Sequence, residues 1–165
     1  MTEILLLQLL DTIRATRGAY HRLTVIAGPT GSGKTSLLRR IADQLGIPII
    51  NLSLLLSEQL LSHTRQQRAL KAEEVAIEVI DEHLQSGLCL DNTELLFDSG
   101  LRLNPLALLQ EVSRNRLIVA TWNGTLTGGE LRFAYPGHPD FFRQQASGYP
   151  VISVVQGKFQ LYLTT

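Results

Sequence analysis

Apolar residues recur along this chain with two alternating periods. Between residues 3 and 16, Leu6, Leu9, Leu10 and Ile13 stand three and four positions apart, which predicts an amphipathic helix ended by Gly18. Leu23 to Ala27 (LTVIA) is short, apolar and rich in β-branched residues, so it predicts a buried strand. Helical spacing returns over Lys34 to Leu45, with Leu37, Leu38, Ile41 and Leu45 on one side and Gly46 as the stop. Ile47 to Leu52 predicts a second strand, placed at a sheet edge or a strand start because Pro48 cannot donate to a ladder. Helices are then predicted over Leu54 to His63 and Leu70 to Gln85, and a third strand over Leu88 to Asp91. A helix with proline in its first turn follows from Pro105 to Asn115, and a fourth strand from Leu117 to Trp122.

Beyond Trp122 the pattern changes. Gly128-Gly129, Tyr135-Pro136-Gly137 and Tyr149-Pro150 punctuate short β-like runs, and Val151 to Val155 and Phe159 to Leu163 predict strands around a Gln156-Gly157 turn. Strands alternating with helices over the first three-quarters imply a largely parallel, layered α/β domain. The expected organisation is one domain over 1–165, with 1–17 as an N-terminal helix and 126–165 as a β-rich tail of the same domain.

Composition narrows the class. With 165 residues, 44% hydrophobic and 18% charged, the chain is globular and of one-domain size, not disordered. A formal net charge of zero shows no basic excess of the kind that nucleic-acid binding uses. Twelve of the 15 basic residues are Arg, the better side chain for forked contacts to carboxylates and phosphates. The single cysteine, Cys89, cannot form an internal disulfide and lies in an apolar run, as a small buried hydrophobe would in a reducing compartment. The start of the chain has no basic leader or small-residue cleavage site, and Glu3, Asp11 and Arg14 interrupt its apolar stretch. The expectation is a cytoplasmic protein without a membrane segment.

The chemistry is concentrated in Gly28-Pro29-Thr30-Gly31-Ser32-Gly33-Lys34-Thr35, which fills every fixed position of G-x-x-x-x-G-K-[ST]. A predicted strand precedes it and a predicted helix follows it, whose Ser36 is expected to join the loop in contacting the nucleotide. Glycines let the backbone N–H groups close around phosphate oxygens, and the helix start adds its unpaired N–H groups and positive dipole end. Lys34 is expected to reach the β- and γ-phosphates, and the Thr35 hydroxyl to ligate Mg²⁺. No Asn-Lys-x-Asp guanine-reading motif occurs, which points to ATP over GTP.

A second acid is needed for the metal, and Asp91 closes an apolar strand where a parallel sheet places its functional groups. Many ATPases of this type carry Glu directly after that Asp to orient water; here the place is Asn92 and the nearest carboxylate is Glu94. Two roles are open to Glu94, a catalytic base or a complement to the dipole of a short helix. Asn123, after the fourth strand, has two as well: a γ-phosphate sensor or half of an Asn-Gly turn. Arg114 and Arg116 are either fingers presented to a neighbour's nucleotide or ordinary arginines at a helix end. His138 and Asp140 lack a third ligand and read as turn residues.

Leu90-Asp91-Asn92-Thr93-Glu94-Leu95-Leu96-Phe97, Asn104-Pro105-Leu106-Ala107-Leu108-Leu109-Gln110, Ser113-Arg114-Asn115-Arg116, Val119 to Gly124 and Tyr135 to Pro139 together resemble the BrxF family, small P-loop proteins of BREX bacteriophage-exclusion gene clusters. The resemblance runs from about Leu23 to Phe142. It implies a prokaryotic defence component with an AAA+-like core, a five-stranded sheet in the order 5-1-4-3-2. It departs from the full AAA+ pattern in lacking a helical lid and a second sensor Arg after Trp122. The implied activity is ATP- and Mg²⁺-dependent assembly or switching, with weak or partner-dependent hydrolysis. Expected partners are further copies of the chain and other defence proteins, with DNA reached only through an oligomer or a partner. Two other readings stay open: a small-molecule or nucleotide kinase with Arg65 and Arg68 as substrate or lid residues, and a non-catalytic scaffold that binds DNA or protein and holds nucleotide for stability.

Overall fold

A computed structural model describes residues 3–164. Met1 and Thr2, where the expected leaderless start falls, and Thr165 lie outside the described residues.

Helix α1 (Glu3–Ala15) runs into a 3-10 turn over Thr16–Gly18. Strand β1 (Leu23–Gly28), helix α2 (Lys34–Leu45), strand β2 (Ile49–Asn51), helices α3 (Leu52–Leu60) and α4 (Arg65–His83) and strand β3 (Leu88–Asp91) follow. After a 3-10 turn over Glu94–Phe97 come α5 (Pro105–Val112) and β4 (Ile118–Asn123). The remaining strands are β5 (Thr125–Thr127), β6 (Glu130–Phe133), β7 (Phe142–Gln145), β8 (Pro150–Val155) and β9 (Lys158–Leu163).

The main sheet has the order β2-β3-β4-β1-β8-β9. Its first five strands are parallel and give the expected order, with β8 in the fifth place; β9 adds an antiparallel edge. Pro48 precedes β2, which is an edge strand as its proline predicts. The alternation of β1 divides the core. Leu23, Val25 and Ala27 pack with α3, α4 and α5 on one face, while Ile26 packs with α1 and α2 on the other. Both faces of β1 are fully buried, as expected of a central parallel strand with helices on either side.

Several boundaries differ from the expectation because caps outrank periodicity. The α3 helix starts two residues early because Asn51 Oδ1 accepts from Leu54 N at 3.0 Å. The α4 helix starts at Arg65 because Thr64 and Gln67 form a reciprocal capping box. Helix α5 stops at Val112 and not at Asn115; Ser113 stands in the C-cap position.

Of the β-like runs after Trp122, β8 and β9 join the main sheet, and the earlier ones build a separate antiparallel sheet, β5-β6-β7, within the connection from β4 to β8. Gly128 and Gly129, at φ 59° and 80°, form its first two-residue turn, so the Thr127 to Glu130 segment is a hairpin. An aromatic knot fastens this sheet to the core: Phe97 stacks on Phe133 at 3.9 Å and meets Trp122 edge-on at 4.8 Å. Trp122 Nε1 donates to Arg132 O at 3.0 Å. Among the described residues no helix is long and apolar enough to cross a membrane.

Candidate functional site

Parallel pairing in register puts the carboxyl ends of β1, β3 and β4 side by side, so Gly28 is opposite Asn123 and Asp91 is at the end of the strand next to β4. Loops leaving these ends surround a cavity of about 330 Å³. Lys34, Thr35, Asp91, Glu94 and Asn123 line it together, as do Thr30, Gly31, Gly33 and Ser36. Asn92 and Thr121 line it too.

The loop's form follows from its glycines. Gly31 and Gly33 adopt φ of 78° and 103°, the left-handed region. A Cβ on Gly28 would lie 2.4 Å from Val154 O and 2.6 Å from Ser32 Oγ, so only glycine fits there. Helix α2 begins behind Gly33 without a side-chain cap, which leaves its first N–H groups directed at the cavity end of the helix. Ser32 Oγ is buried and makes no hydrogen bond within the chain. An uncapped helix start, an unsatisfied hydroxyl and a lysine around one cavity fit a phosphate chain, and the oxygen donors of Thr35 and Asp91 fit Mg²⁺. Among the described residues there is no cluster of three or more His, Cys, Asp or Glu able to hold a metal by itself.

Lys34 is buried, and its Nζ donates to Gly28 O at 2.7 Å and Pro29 O at 2.8 Å, leaving one of three protons uncommitted. Burial pushes its pKa below the usual lysine value, and the charges of Glu94 and Asp91 oppose that shift. The Glu94 carboxylate therefore belongs to the electrostatics of this site. Asp91 Oδ1 accepts from Asn92 N at 2.9 Å and from Thr121 Oγ1 at 3.1 Å. Asn92 takes a left-handed φ of 51°, which turns the chain sharply away from the strand. Burial, with Asp91 nearby, pushes the Cys89 thiol up to about 12, so it remains a neutral hydrophobe.

Three hydroxyls absent from the sequence-based site hold the Asp91 to Leu95 turn. Ser53 Oγ donates to Asn92 O and accepts from Leu95 N at 3.0 Å. Thr93 Oγ1 donates to Thr121 O at 2.6 Å, and Thr121 orients Asp91 itself. Thr121→Val, which keeps the shape and removes the donor, is expected to raise the Mg²⁺ concentration needed for tight ATP binding by about threefold to tenfold. Metal-free ATP affinity should not move. A titration in which both affinities shift equally would deny Thr121 a part in presenting the metal ligand.

Asn123 Nδ2 donates to Thr30 Oγ1 at 3.1 Å, which ties the end of β4 to the phosphate loop. The Asn-Gly pair is not a tight turn here, because Thr125 continues directly into β5. Arg114 and Arg116 are not brought to the chain's own cavity. They precede β4, at the opposite end of a strand of six residues, roughly 20 Å away at about 3.3 Å per residue. Arg114 lies over the Tyr20 ring at 5.1 Å and near Glu111, and Arg116 pairs with Asp81. Arg68 Nε shares its proton between Leu60 O and His63 O, each at 2.9 Å, which fastens the side chain's inner edge across the α3–α4 turn. His138 Nδ1 accepts from Asp140 N at 3.0 Å, and Asp140 Oδ1 from Ser99 N at 3.0 Å, the turn roles expected of them.

Residues 24–98, less than half of the chain, match the model of the family described as "ATPase family associated with various cellular activities (AAA)". The matched stretch contains Lys34, Thr35, Asp91 and Glu94. Among solved structures, C. elegans PCH-2 is similar with 23% identity and a TM-score of 0.41, over 75% of this chain and 38% of that one. The chain thus spans well under half the length of that structure. No curated protein matches the chain. The fold is that of a P-loop NTPase core, and the AAA match covers nine of the eleven residues that line the cavity, all but Thr121 and Asn123.

Proposed function

We propose that this chain binds ATP with Mg²⁺ and uses its nucleotide state to control assembly, as a switch subunit of a prokaryotic BREX-type anti-phage system. The observation that carries the nucleotide part is the convergence of Lys34, Thr35, Asp91, Glu94 and Asn123 on one cavity from two strand ends, one helix start and one 3-10 turn. Lys34 and the N–H groups of the loop would neutralise phosphate charge, and Thr35 and Asp91 would hold the metal that bridges phosphate oxygens. The defence assignment rests on the sequence resemblance.

The arrangement of the acids supports the weak or partner-dependent hydrolysis of this proposal. The residue after Asp91 is an amide in a left-handed turn, and the one further carboxylate at the cavity is Glu94, on a 3-10 turn held by Ser53. Among the described residues no helix follows β8, so the described part of the chain supplies no helical cover from that side. In this proposal a second copy or a partner completes the site. Arg114 and Arg116 could act on nucleotide only across such an interface. ATP turnover should be slow for the chain alone, rise with the gene products encoded beside it, and fall about 100-fold or more in Glu94→Gln. Light scattering with and without ATP and Mg²⁺ should show a change in mass. A monomer in both states, with background turnover in every mixture, would remove both switch and enzyme.

A further inference from the structure

We infer that the turn of the β8–β9 hairpin is a positioning element of the phosphate site, with Gly157 as its working residue. This rests on the phosphate-binding reading above. Besides Gly33 O, which accepts from Leu37 N at 3.1 Å as helix α2 begins, three carbonyls of the loop are tied to donors of the chain. Gly28 O accepts from Gly124 N at 3.1 Å and from Lys34 Nζ. Pro29 O accepts from Ser32 N at 3.2 Å and from Lys34 Nζ. Ser32 O accepts from Gly157 N at 3.2 Å, a bond that spans most of the sequence and joins the edge hairpin to the loop.

The third bond bears on the geometry of binding. In a trans peptide the carbonyl and the following N–H point in opposite directions. Holding Ser32 O against the hairpin therefore aims Gly33 N–H the other way, and Gly33 lines the cavity. Gly33 has a φ of 103°, so no side chain preference fixes this peptide plane and an external tie has work to do. The hairpin is suited to the task. Val155 pairs with Lys158 across a two-residue turn in which Gln156 and Gly157 have φ of 51° and 74°, the geometry that matches strand twist. The same hairpin brings Val154 O against Gly28, so it touches the loop at both its first glycine and its last turn. Coupling is reciprocal: a hairpin that orders the loop is itself ordered when the loop binds phosphate.

Calorimetric binding of ATP with Mg²⁺ to the full chain tests this, comparing wild type, Gly157→Val and Gly157→Asn. Valine resists the left-handed conformation and displaces the N–H, whereas asparagine tolerates it and keeps the bond. Gly157→Val should bind about fivefold to tenfold more weakly, the size of one lost hydrogen bond, and Gly157→Asn within twofold of wild type. In wild type, the Gly157 amide should exchange more slowly with solvent deuterium when ATP and Mg²⁺ are present. A folded Gly157→Val that binds like wild type overturns the inference alone. If that variant does not fold, unchanged exchange at Gly157 in wild type overturns it. Absence of ATP binding by wild type overturns the phosphate-site reading and the inference with it.

Discussion

Lys34→Met is expected to lose ATP binding by about 100-fold or more while the fold keeps its stability. A charge-assisted hydrogen bond is worth about 1.5–3 kcal/mol, and Lys34, whose carbonyl partners each keep a second donor, would turn such bonds to two phosphates, so about two to four powers of ten follow. The fold should survive because each carbonyl that Lys34 holds has a second donor: Gly124 N for Gly28 O and Ser32 N for Pro29 O. Burial lowers the pKa of Lys34 from 10.5, so the unfolded chain holds this proton more tightly than the folded one. Stability linked to this group then rises with pH in the window between the lowered folded value and 10.5, and the buried charge is a cost at neutral pH. Methionine removes that cost. Thermal unfolding at pH 7 should give a midpoint equal to or above wild type, and the alkaline rise should disappear. Binding retained within about threefold in Lys34→Met would exclude Lys34 as a phosphate ligand.

The second large effect is on stability. Gly124→Ala would put a Cβ 1.8 Å from Arg132 O, 2.9 Å from Arg132 C and 3.0 Å from Trp122 Nε1. The nearest atoms are backbone in β6, so neither can swing aside as a side-chain end would. Relief requires β4 and β6 to part, which breaks the Trp122 to Arg132 hydrogen bond and opens the aromatic knot. Overpacking and a lost buried bond together cost about 3 kcal/mol or more, on the order of a 10 °C fall in Tm for a chain of this size. Gly128→Ala is the comparison: its Cβ meets nothing within 4 Å, and the penalty is only that of alanine at φ 59°, about 1 kcal/mol. A calorimetric scan in which Gly124→Ala melts within 2 °C of wild type would contradict the close approach of β6 to β4.

What could be read from the sequence was what is encoded locally. The P-loop is contiguous, and α2 runs from Lys34 to Leu45 as its spacing and Gly46 require. Pro48 marked the sheet edge, and Asp91 stood at the end of an apolar strand. The capping box at Thr64 and Gln67 was also legible, as a Thr-x-x-Gln pattern, but the apolar period alone placed that helix later. The rest depends on distant partners. Ser53, Thr93 and Thr121 act through bonds spanning 42, 28 and 30 residues, so no spacing rule singles them out. Asn123-Gly124 carries the composition of a tight turn, yet Gly124 is needed because β6 passes against it. Arg116 looks available in sequence and pairs with Asp81 in the fold, and Arg68 has its Nε tied to two carbonyls of the α3–α4 turn. Burial and competition among donors decide these cases, and neither is a property of a short segment.

The aromatic knot has one more consequence. Trp122 is the sole tryptophan of the chain, fully buried, with its ring edge-on to Phe97 and its N–H held by a strand of the small sheet. Its next neighbour in sequence is Asn123, and Phe97 ends the 3-10 turn that Glu94 begins. The chain therefore carries a built-in optical reporter at the junction of both halves of the site. Its emission, free of any background indole, will register movement of the Glu94 turn or of the small sheet without a label being added.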